Sequence, residues 1–267
     1  MEFVRLYGWF FFIYAFLGWC GEVAFAAVKE KRFVNRGFLN GPLCPIYGVG
    51  VAAIVWIGSF AGDSWLTLYV VSAVVTSGIE LVTGFVLEKL FHTRWWDYSG
   101  MPLNIGGYIC LPFSLLWGFA CVFIIRIFHP LVQSFVNWIP DWLSWTALAA
   151  MTVVLAVDLY VTVAQISKSL RRLQQLETLA AELHELSDAM GQVISKKTME
   201  ASELGGGITG ELSGRVKKLQ EEMTRRKEEM DRLLKERMPG LRRQLKAFPK
   251  LTSKRFKESL DKFRENL

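Results

Sequence analysis

The stretch WLTLYVVSAVVTSGIELVTGFVLEKLF, residues 65–91, is a long apolar run in which only Glu80, Glu88 and Lys89 are charged. About 20 apolar residues suffice for a helix to cross the ~30 Å hydrocarbon core of a membrane. The run must be helical there, because lipid offers the backbone no hydrogen-bonding partner. Comparable runs cover residues 7–28, 42–62, 103–128 and 142–166. The sequence therefore predicts an all-α, polytopic membrane bundle of about five transmembrane helices.

Charge divides the 267-residue chain into two parts. Residues 1–166 carry 8 Lys and Arg against 9 Asp and Glu, whereas residues 167–267 carry 23 against 16. The overall hydrophobic content of 52% is thus an average over an apolar part and a strongly charged part. We expect a transmembrane domain over residues 1–166 and a basic, water-facing helical tail over residues 167–267.

Basic residues collect in alternate loops, and this pattern predicts the orientation. The loops after the first and third apolar runs contain Lys29, Lys31, Arg32, Arg36, Lys89 and Arg94. The loops after the second and fourth runs contain no Lys or Arg, although Arg126 lies just before the latter. By the positive-inside rule, the N-terminus lies outside and the tail lies in the cytosol. The expected location is the cell membrane.

Three carboxyl side chains lie inside the apolar runs: Glu22, Glu80 and Asp158. An ionisable group near the centre of a membrane costs roughly 3 kcal/mol or more, so such groups tend to mark functional sites. The predicted orientation puts all three in the cytosolic half of their spans. One hypothesis is that Arg36 folds back toward Glu22 or Glu80 and forms the floor of a polar pocket open to the cytosol. The alternative is that each carboxyl is protonated and bonded to a neighbouring helix.

The two cytosolic loops are rich in turn-forming residues. Residues 34–50 read VNRGFLNGPLCPIYGVG, and residues 92–104 read HTRWWDYSGMPLN. Gly accepts positive φ and Pro fixes φ, so both loops should have a defined shape. Asp97 could cap a turn or pair with Arg36 or Arg94. We expect structural turns at Gly37, Gly41, Pro42, Pro45, Gly48, Gly106 and Gly107.

Several linked motifs carry a resemblance to a known family. They are GWCGE at residues 18–22, NRGFLNGPLCPIYGVG at 35–50, WDYS at 96–99 and NIGGYICLPFSLLWG at 104–118. In this order they resemble the ABC-transporter permease-like family of CmpB type, small multi-pass membrane proteins that include vertebrate transmembrane relatives. The resemblance covers about residues 7–130 and leaves out the tail.

The resemblance implies a transmembrane subunit that works with a separate ATPase. The motif residues it carries over are Glu22, Asn35, Arg36, Gly37, Gly41, Pro42, Cys44, Pro45, Tyr47, Gly48, Glu80, Trp96, Asp97, Tyr98, Asn104, Cys110 and Trp117. Together with Asp158, the polar members predict a pocket for a substrate or an ion. Its candidate residues are Glu22, Asn35, Arg36, Cys44, Tyr47, Glu80, Asp97, Tyr98, Asn104, Cys110 and Asp158.

Motifs for soluble enzyme chemistry are missing from the sequence. No Gly-x-x-x-x-Gly-Lys-Ser/Thr phosphate-binding loop occurs, so the chain cannot cradle ATP by itself. The three His are scattered, and the four Cys lack paired CxxC spacing. We therefore expect no metal, no cofactor and no disulfide framework.

The tail carries heptad-like apolar spacing. Helices are predicted at about 168–203, 211–238 and 252–266, the first two with coiled-coil seams of about three heptads. Such seams predict a homo-oligomer. The last 27 residues carry 9 basic against 3 acidic side chains, which favours contact with membrane lipid. Basic charge without stacking aromatic residues gives no support for nucleic-acid binding.

Three functions remain open from the sequence. The first is a permease-like transport subunit whose cytosolic pocket handles a proton, a cation or a polar substrate, paired with a separate ATP-binding subunit. The second is a membrane enzyme acting on a lipid or lipid-linked substrate at the inner leaflet. It would use Asp97 and Glu22 as acid and base, or Cys44 or Cys110 as nucleophile. The third is a scaffold that recruits a partner through the coiled-coil tail.

Overall fold

The structure is a computed structural model that describes residues 1–59, 64–204, 210–235, 238–253, 255–256, 259–261 and 264. The chain forms two compact units. The first contains Met1–Ser167 together with Gly240–Arg255, and the second contains Lys168–Pro239 together with Phe256–Leu267. Residues 240–255 of the tail thus belong to the same unit as the apolar helices.

Within the described part of the chain, four helices are long and apolar enough to cross a membrane. They are α1 (Glu2–Glu30), α3 (Trp65–Phe91), the helix Leu111–Trp138, and the apolar portion of α6 (Asp141–Leu204). These helices expose many apolar side chains, such as Val74 and Phe119, which suits contact with lipid. The predicted all-α, multi-pass membrane fold is confirmed.

The second predicted span is shorter than expected. Helix α2 covers Pro45–Gly58, and its 14 residues rise only about 21 Å, less than the ~30 Å of a hydrocarbon core. The predicted start at residue 42 is wrong because Pro45 disfavours a helical conformation in the residue before it, and Cys44 has φ −114° and ψ 89°. The predicted end falls on residues 60–62, which lie outside the described residues.

The fourth predicted span is shifted along the chain. Residues 104–110 form a hairpin of β1 (Asn104–Ile105) and β2 (Ile109–Cys110), paired antiparallel. The helix then starts with α4 (Leu111–Phe123), passes through a π-helical turn (Ile124–Phe128) and continues as α5 (His129–Trp138). The π turn ends two residues before Pro130, which has no N–H to donate to the preceding turn. Residues 129–138, predicted as a loop, are therefore helical.

The fifth predicted span and the first predicted tail helix are one continuous helix, α6, of 64 residues. In the second unit, an ion pair of 3.2 Å joins Arg226 Nε on α7 (Gly210–Lys235) to Glu182 Oε2 on α6. The third tail helix differs in part from the prediction. Helix α8 covers Pro239–Ala247, and residues 252–253 are not helical, since Thr252 forms a bridge with Arg94. Residues 259–261 and 264 are helical, as predicted. The coiled coil itself stays a prediction.

Two clusters of buried side chains hold the apolar helices together. One contains Phe10, Tyr14, Val51 and Val136, from α1, α2 and α5. The other contains Ile54, Leu68, Cys121 and Val122, from α2, α3 and α4. Helix α2, although short, takes part in both clusters and therefore lies at the centre of the packing.

Candidate functional site

The first polar loop, residues 31–44, is shaped by the side chain of Asn35. Its Oδ1 accepts hydrogen bonds from Trp19 Nε1 at 2.8 Å and from the Gly37 N–H at 3.0 Å. Its Nδ2 donates to the Asn40 carbonyl at 2.8 Å. Because these bonds use both ends of the amide, Asn35 organises the loop and has little capacity left for a ligand.

Asp158 holds the same loop from helix α6. Its Oδ1 accepts from the Asn40 N–H at 3.1 Å, and its Oδ2 accepts from the Gly41 N–H at 2.8 Å. Thr162 Oγ1 donates to Asp158 Oδ1 at 3.2 Å and accepts from Asn40 Nδ2 at 2.8 Å. A Cβ on Gly41 would lie 2.9 Å from Asp158 Oδ2, so the loop needs glycine there for space. Among the predicted pocket residues, Asp158 is therefore placed as a support for the loop.

Glu22 and Arg36 meet at one end of helix α1. Arg36 Nε lies 3.1 Å from Glu22 Oε2, and Tyr47 donates its hydroxyl to Glu22 Oε1 at 2.6 Å. The Arg36 guanidinium also lies over the Phe25 ring, 5.3 Å from its centroid. Arg36 thus folds back onto Glu22, one of the two partners that the sequence suggested for it.

Glu80 lies on helix α3, and its hydrogen-bond partner is Tyr98. The Tyr98 hydroxyl donates to Glu80 Oε1 at 3.1 Å, and the Tyr98 ring stacks on Phe113 at 4.9 Å. The pKa of Tyr98 is raised, first by burial and then by the charges of Glu80, Cys110 and Glu22. Both carboxyl groups thus contribute to the raised pKa of this one hydroxyl. We call Glu22, Arg36, Tyr47, Glu80 and Tyr98 the polar cluster.

One carboxyl oxygen of the polar cluster, Glu80 Oε2, makes no hydrogen bond to the described residues. Glu80 Oε2 is buried, and no hydrogen-bond partner for it occurs among the described residues. A buried polar atom that makes no hydrogen bond costs about 1–3 kcal/mol. Such an oxygen is suited to accept a proton, a cation or a hydrogen-bond donor.

The second polar loop, residues 92–110, is held by its own side chains. Asp97 Oδ1 accepts from the Ser99 N–H at 2.9 Å and from Ser99 Oγ, and Arg94 NH1 lies 3.7 Å away. Asn104 Nδ2 donates to the carbonyls of Ser99 and Met101, and Asn104 Oδ1 accepts from the Gly107 N–H. Asp97 and Asn104 are therefore placed inside turns, with Asp97 pairing with Arg94 and not with Arg36.

Backbone conformation and lack of space both favour glycine in the hairpin. Gly106 and Gly107 have φ of 60° and 76°, a region that L side chains rarely adopt. At Gly107 a Cβ would also lie 2.6 Å from Asp97 Oδ1. Both residues fit the predicted turns, whereas Gly48, predicted as a turn residue, lies inside helix α2.

The two loop cysteines are poor nucleophiles. Cys44 is 5% exposed and Cys110 is 1% exposed. The pKa of the Cys44 thiol is raised to about 12, mainly by burial, with Glu22 also raising it and Arg36 lowering it. A thiol with this pKa is protonated at neutral pH, and it is the thiolate that attacks. Within the described residues, no group of three or more His, Cys, Asp or Glu side chains could hold a metal ion.

Sequence reasoning did not select several residues that the structure places around the site. Glu88 accepts hydrogen bonds from Arg94 Nε and from the Tyr108 hydroxyl, the latter at 2.8 Å. Its place eight residues after Glu80, as one of the few charged residues of α3, was a usable signal. Arg243 and Gln244 contact the first polar loop, but nothing in the sequence separates them from the other polar residues of the tail.

Comparison with known proteins supports a membrane transport family. A family model described as "Putative ABC-transporter type IV" (ABC_trans_CmpB) matches residues 9–163, more than half of the chain. The matched range contains all five residues of the polar cluster and Asp158. No curated protein and no solved structure matches the chain.

Proposed function

Because the chain belongs to the family described as "Putative ABC-transporter type IV", we propose that it is the membrane subunit of a transport system. In this proposal the polar cluster binds the transported proton, cation or polar molecule. The chain is a multi-pass membrane protein, as its apolar helices and its family indicate. Its sequence has no phosphate-binding loop, so a separate ATP-binding subunit would supply the energy.

The observation that carries this proposal is the unequal bonding of the two carboxyl groups. Glu22 has Arg36 as a cationic partner at 3.1 Å, whereas Glu80 has only the Tyr98 hydroxyl, and its Oε2 is without a bond among the described residues. Intramembrane carboxylates are costly, and those of transporters typically line ion or substrate pathways. Glu80 is thus the group with remaining capacity for a ligand.

The basic loops favour the cytosolic face for this cluster. Arg36 and Arg94, together with the Lys and Arg residues near them, lie in loops that follow the first and third membrane helices. The positive-inside rule puts such loops in the cytosol. We therefore propose that the cluster opens to the cytosol of a cell-membrane protein, where an ATP-binding subunit would also dock.

The enzyme alternative finds less support. Asp97, its proposed acid or base, bonds within its own turn, and the Cys44 thiol is buried and protonated. The scaffold alternative depends on the coiled-coil tail. Neither has an observation in its favour comparable with the unbonded oxygen of Glu80.

Purification of the full-length chain in mild detergent tests the proposed partner. We expect an ATP-binding protein to co-purify in a fixed stoichiometric ratio, identified by mass spectrometry. A membrane protein of similar size carrying the same tag is the control. If an intact preparation contains no ATP-binding protein, the transport-subunit proposal is wrong. A lipid retained in its place would favour the enzyme.

The variant Glu80→Gln tests the polar cluster. It keeps the size of the side chain and an oxygen that can accept from Tyr98, but it removes the charge. In proteoliposomes holding the co-purified complex, we expect ATP-dependent uptake to fall at least ten-fold. Protons, reported by a trapped pH-sensitive dye, and labelled monovalent cations are the two probes. The melting temperature should stay close to that of the wild type.

Cys44→Ser is the matched control for this experiment. It changes one atom of a buried residue whose pKa is influenced by Glu22 and Arg36, and it should leave uptake unchanged. Loss of uptake in Cys44→Ser with retention in Glu80→Gln would reverse the assignment and favour thiol chemistry.

A further inference from the structure

A segment of the tail, residues 240–253, grips the first polar loop through one arginine. Arg243 NH1 donates to the carbonyls of Gly37 at 3.0 Å and Leu39 at 2.9 Å, and Arg243 NH2 donates to the Phe38 carbonyl. Three consecutive carbonyls thus converge on one guanidinium. Hydrogen bonds of this charge-assisted kind are the strong ones in proteins.

Asp158 also holds this loop. The carboxylate accepts the N–H groups of Asn40 and Gly41, while Arg243 takes the carbonyls of the three preceding residues. Burial lowers the pKa of Arg243, whereas the nearby charge of Asp158 raises it. A cation therefore binds the acceptors of the loop backbone, and an anion binds its donors.

Gln244 links the segment to both polar loops. Its Nε2 donates to the Phe38 carbonyl at 2.9 Å, and its Oε1 accepts from Trp95 Nε1 at 3.1 Å. The side chain is 1% exposed, so both ends of this buried amide are satisfied. Phe38 and Trp95 also contact each other directly, with ring centroids 5.6 Å apart.

The end of the segment pairs with the second polar loop. The Arg94 N–H donates to the Thr252 carbonyl at 2.7 Å, and the Thr252 N–H donates to the Arg94 carbonyl at 3.0 Å. Ser253 Oγ donates to the His92 carbonyl at 2.6 Å. Apolar side chains complete the attachment, since Leu241, Leu245, Ala247 and Leu251 are all buried.

These contacts lie next to the residues that the loops contribute to the polar cluster. Arg36 directly precedes Gly37, the first of the carbonyls bound by Arg243. Tyr98 follows Trp95 by three residues. A shift of either loop would move Arg36 away from Glu22 or Tyr98 away from Glu80.

We propose that residues 240–253 act as a detachable latch, which holds the two polar loops closed over the polar cluster. The matched family range ends at residue 163, so the latch is an addition to the part of the chain shared with the family. It closes the first loop by Arg243 and the second by Gln244, Thr252 and Ser253. Detaching it releases both loops together, because the one segment bonds to both.

The native Cys44 reports on this latch. It belongs to the first polar loop, is 5% exposed and has a pKa influenced by the cluster residues Glu22 and Arg36. Full-length protein in nanodiscs is treated with a maleimide, and labelling of the peptide that contains Cys44 is followed by mass spectrometry. Each hydrogen bond to a charged group is worth about ten-fold or more in an equilibrium constant. Arg243→Ala should therefore speed labelling at least ten-fold.

Lys246→Ala is the matched control. Lys246 is an exposed cation on the same helix, so its loss removes the same charge without removing a bond to the loop carbonyls. Its labelling rate should equal that of the wild type. Deuterium exchange should rise in the peptides covering residues 37–44 and 92–98 of Arg243→Ala, and should stay unchanged in Lys246→Ala.

If Arg243→Ala does not fold, Ser253→Ala gives a milder test, because it removes the hydroxyl that bonds to the His92 carbonyl. It should raise exchange at residues 92–98 several-fold. A folded Arg243→Ala protein whose Cys44 labels no faster than in Lys246→Ala overturns the latch. So does wild-type Cys44 that reacts as quickly as in the unfolded chain. Neither readout depends on a transported ligand, so the latch and the transport proposal can fail separately.

Discussion

Replacing Gly48 by alanine should destabilise the membrane bundle by about 3 kcal/mol, a drop in melting temperature of roughly 10 °C. A Cβ at this position would lie 2.4 Å from the carbonyl oxygen of Phe11 and 2.8 Å from its ring. The closest obstacle is backbone, which cannot turn aside as a flexible side chain can, so helices α1 and α2 would have to separate. Such a separation would also disturb Tyr47, one residue earlier, and its bond to Glu22.

Gly50→Ala is the control for this prediction. Gly50 lies in the same helix and is buried, but a Cβ there would meet nothing within 4 Å. Alanine is favoured over glycine in a helix by roughly 0.5–1 kcal/mol, so this variant should melt at the same or a slightly higher temperature. Thermal unfolding in detergent, followed by tryptophan fluorescence, measures both. Equal melting temperatures for the two variants would show that the helices are not packed as closely as described.

Replacing Asp158 by alanine should cost roughly 2–3 kcal/mol of stability, because two backbone N–H groups of the first polar loop lose their acceptor. These groups belong to Asn40 and Gly41. Unlike Glu80→Gln, this change should lower the melting temperature, by roughly 6 °C. Deuterium exchange at residues 37–44 should rise with it.

Asp158→Asn gives a graded comparison. An amide offers one oxygen where the carboxylate offers two, so one of the two N–H bonds should survive and the loss of stability should be about half as large. A contrary result would be an Asp158→Asn protein that keeps the wild-type melting temperature and deuterium exchange but loses uptake. That result would identify Asp158 as a ligand-binding residue.

The chain order of apolar and turn residues was sufficient to predict most of the membrane fold. Runs of about 20 apolar residues predicted α1, α3 and the membrane portion of α6 close to their positions in the structure. Two of the errors occur beside residues that form turns. Pro45 delays the start of α2, and the helix that follows the hairpin begins only at Leu111. The average hydrophobicity of about 20 residues does not show where a single turn-forming residue ends a helix.

The polar cluster was predicted in part. The shortage of cations near the membrane carboxyls left Arg36 as the leading partner for Glu22 or Glu80, and the structure pairs it with Glu22. Similar predicted depth in the membrane also grouped Asp158 with the other carboxyls, but the structure bonds it to the backbone of Asn40 and Gly41. Position along one helix predicts the depth of a residue, and it does not predict which loop contacts that residue.

The sequence by itself determined that this is a helical, multi-pass membrane protein, and that carboxyl groups lie inside its spans. These properties follow from the transfer of each side chain between water and lipid, which adds up locally along the chain. Only the tertiary structure decided that Arg243 binds the carbonyls of residues 37–39 and that Asp158 binds Asn40 and Gly41. Those partners lie more than a hundred residues apart in sequence, and packing of the whole unit brings them together.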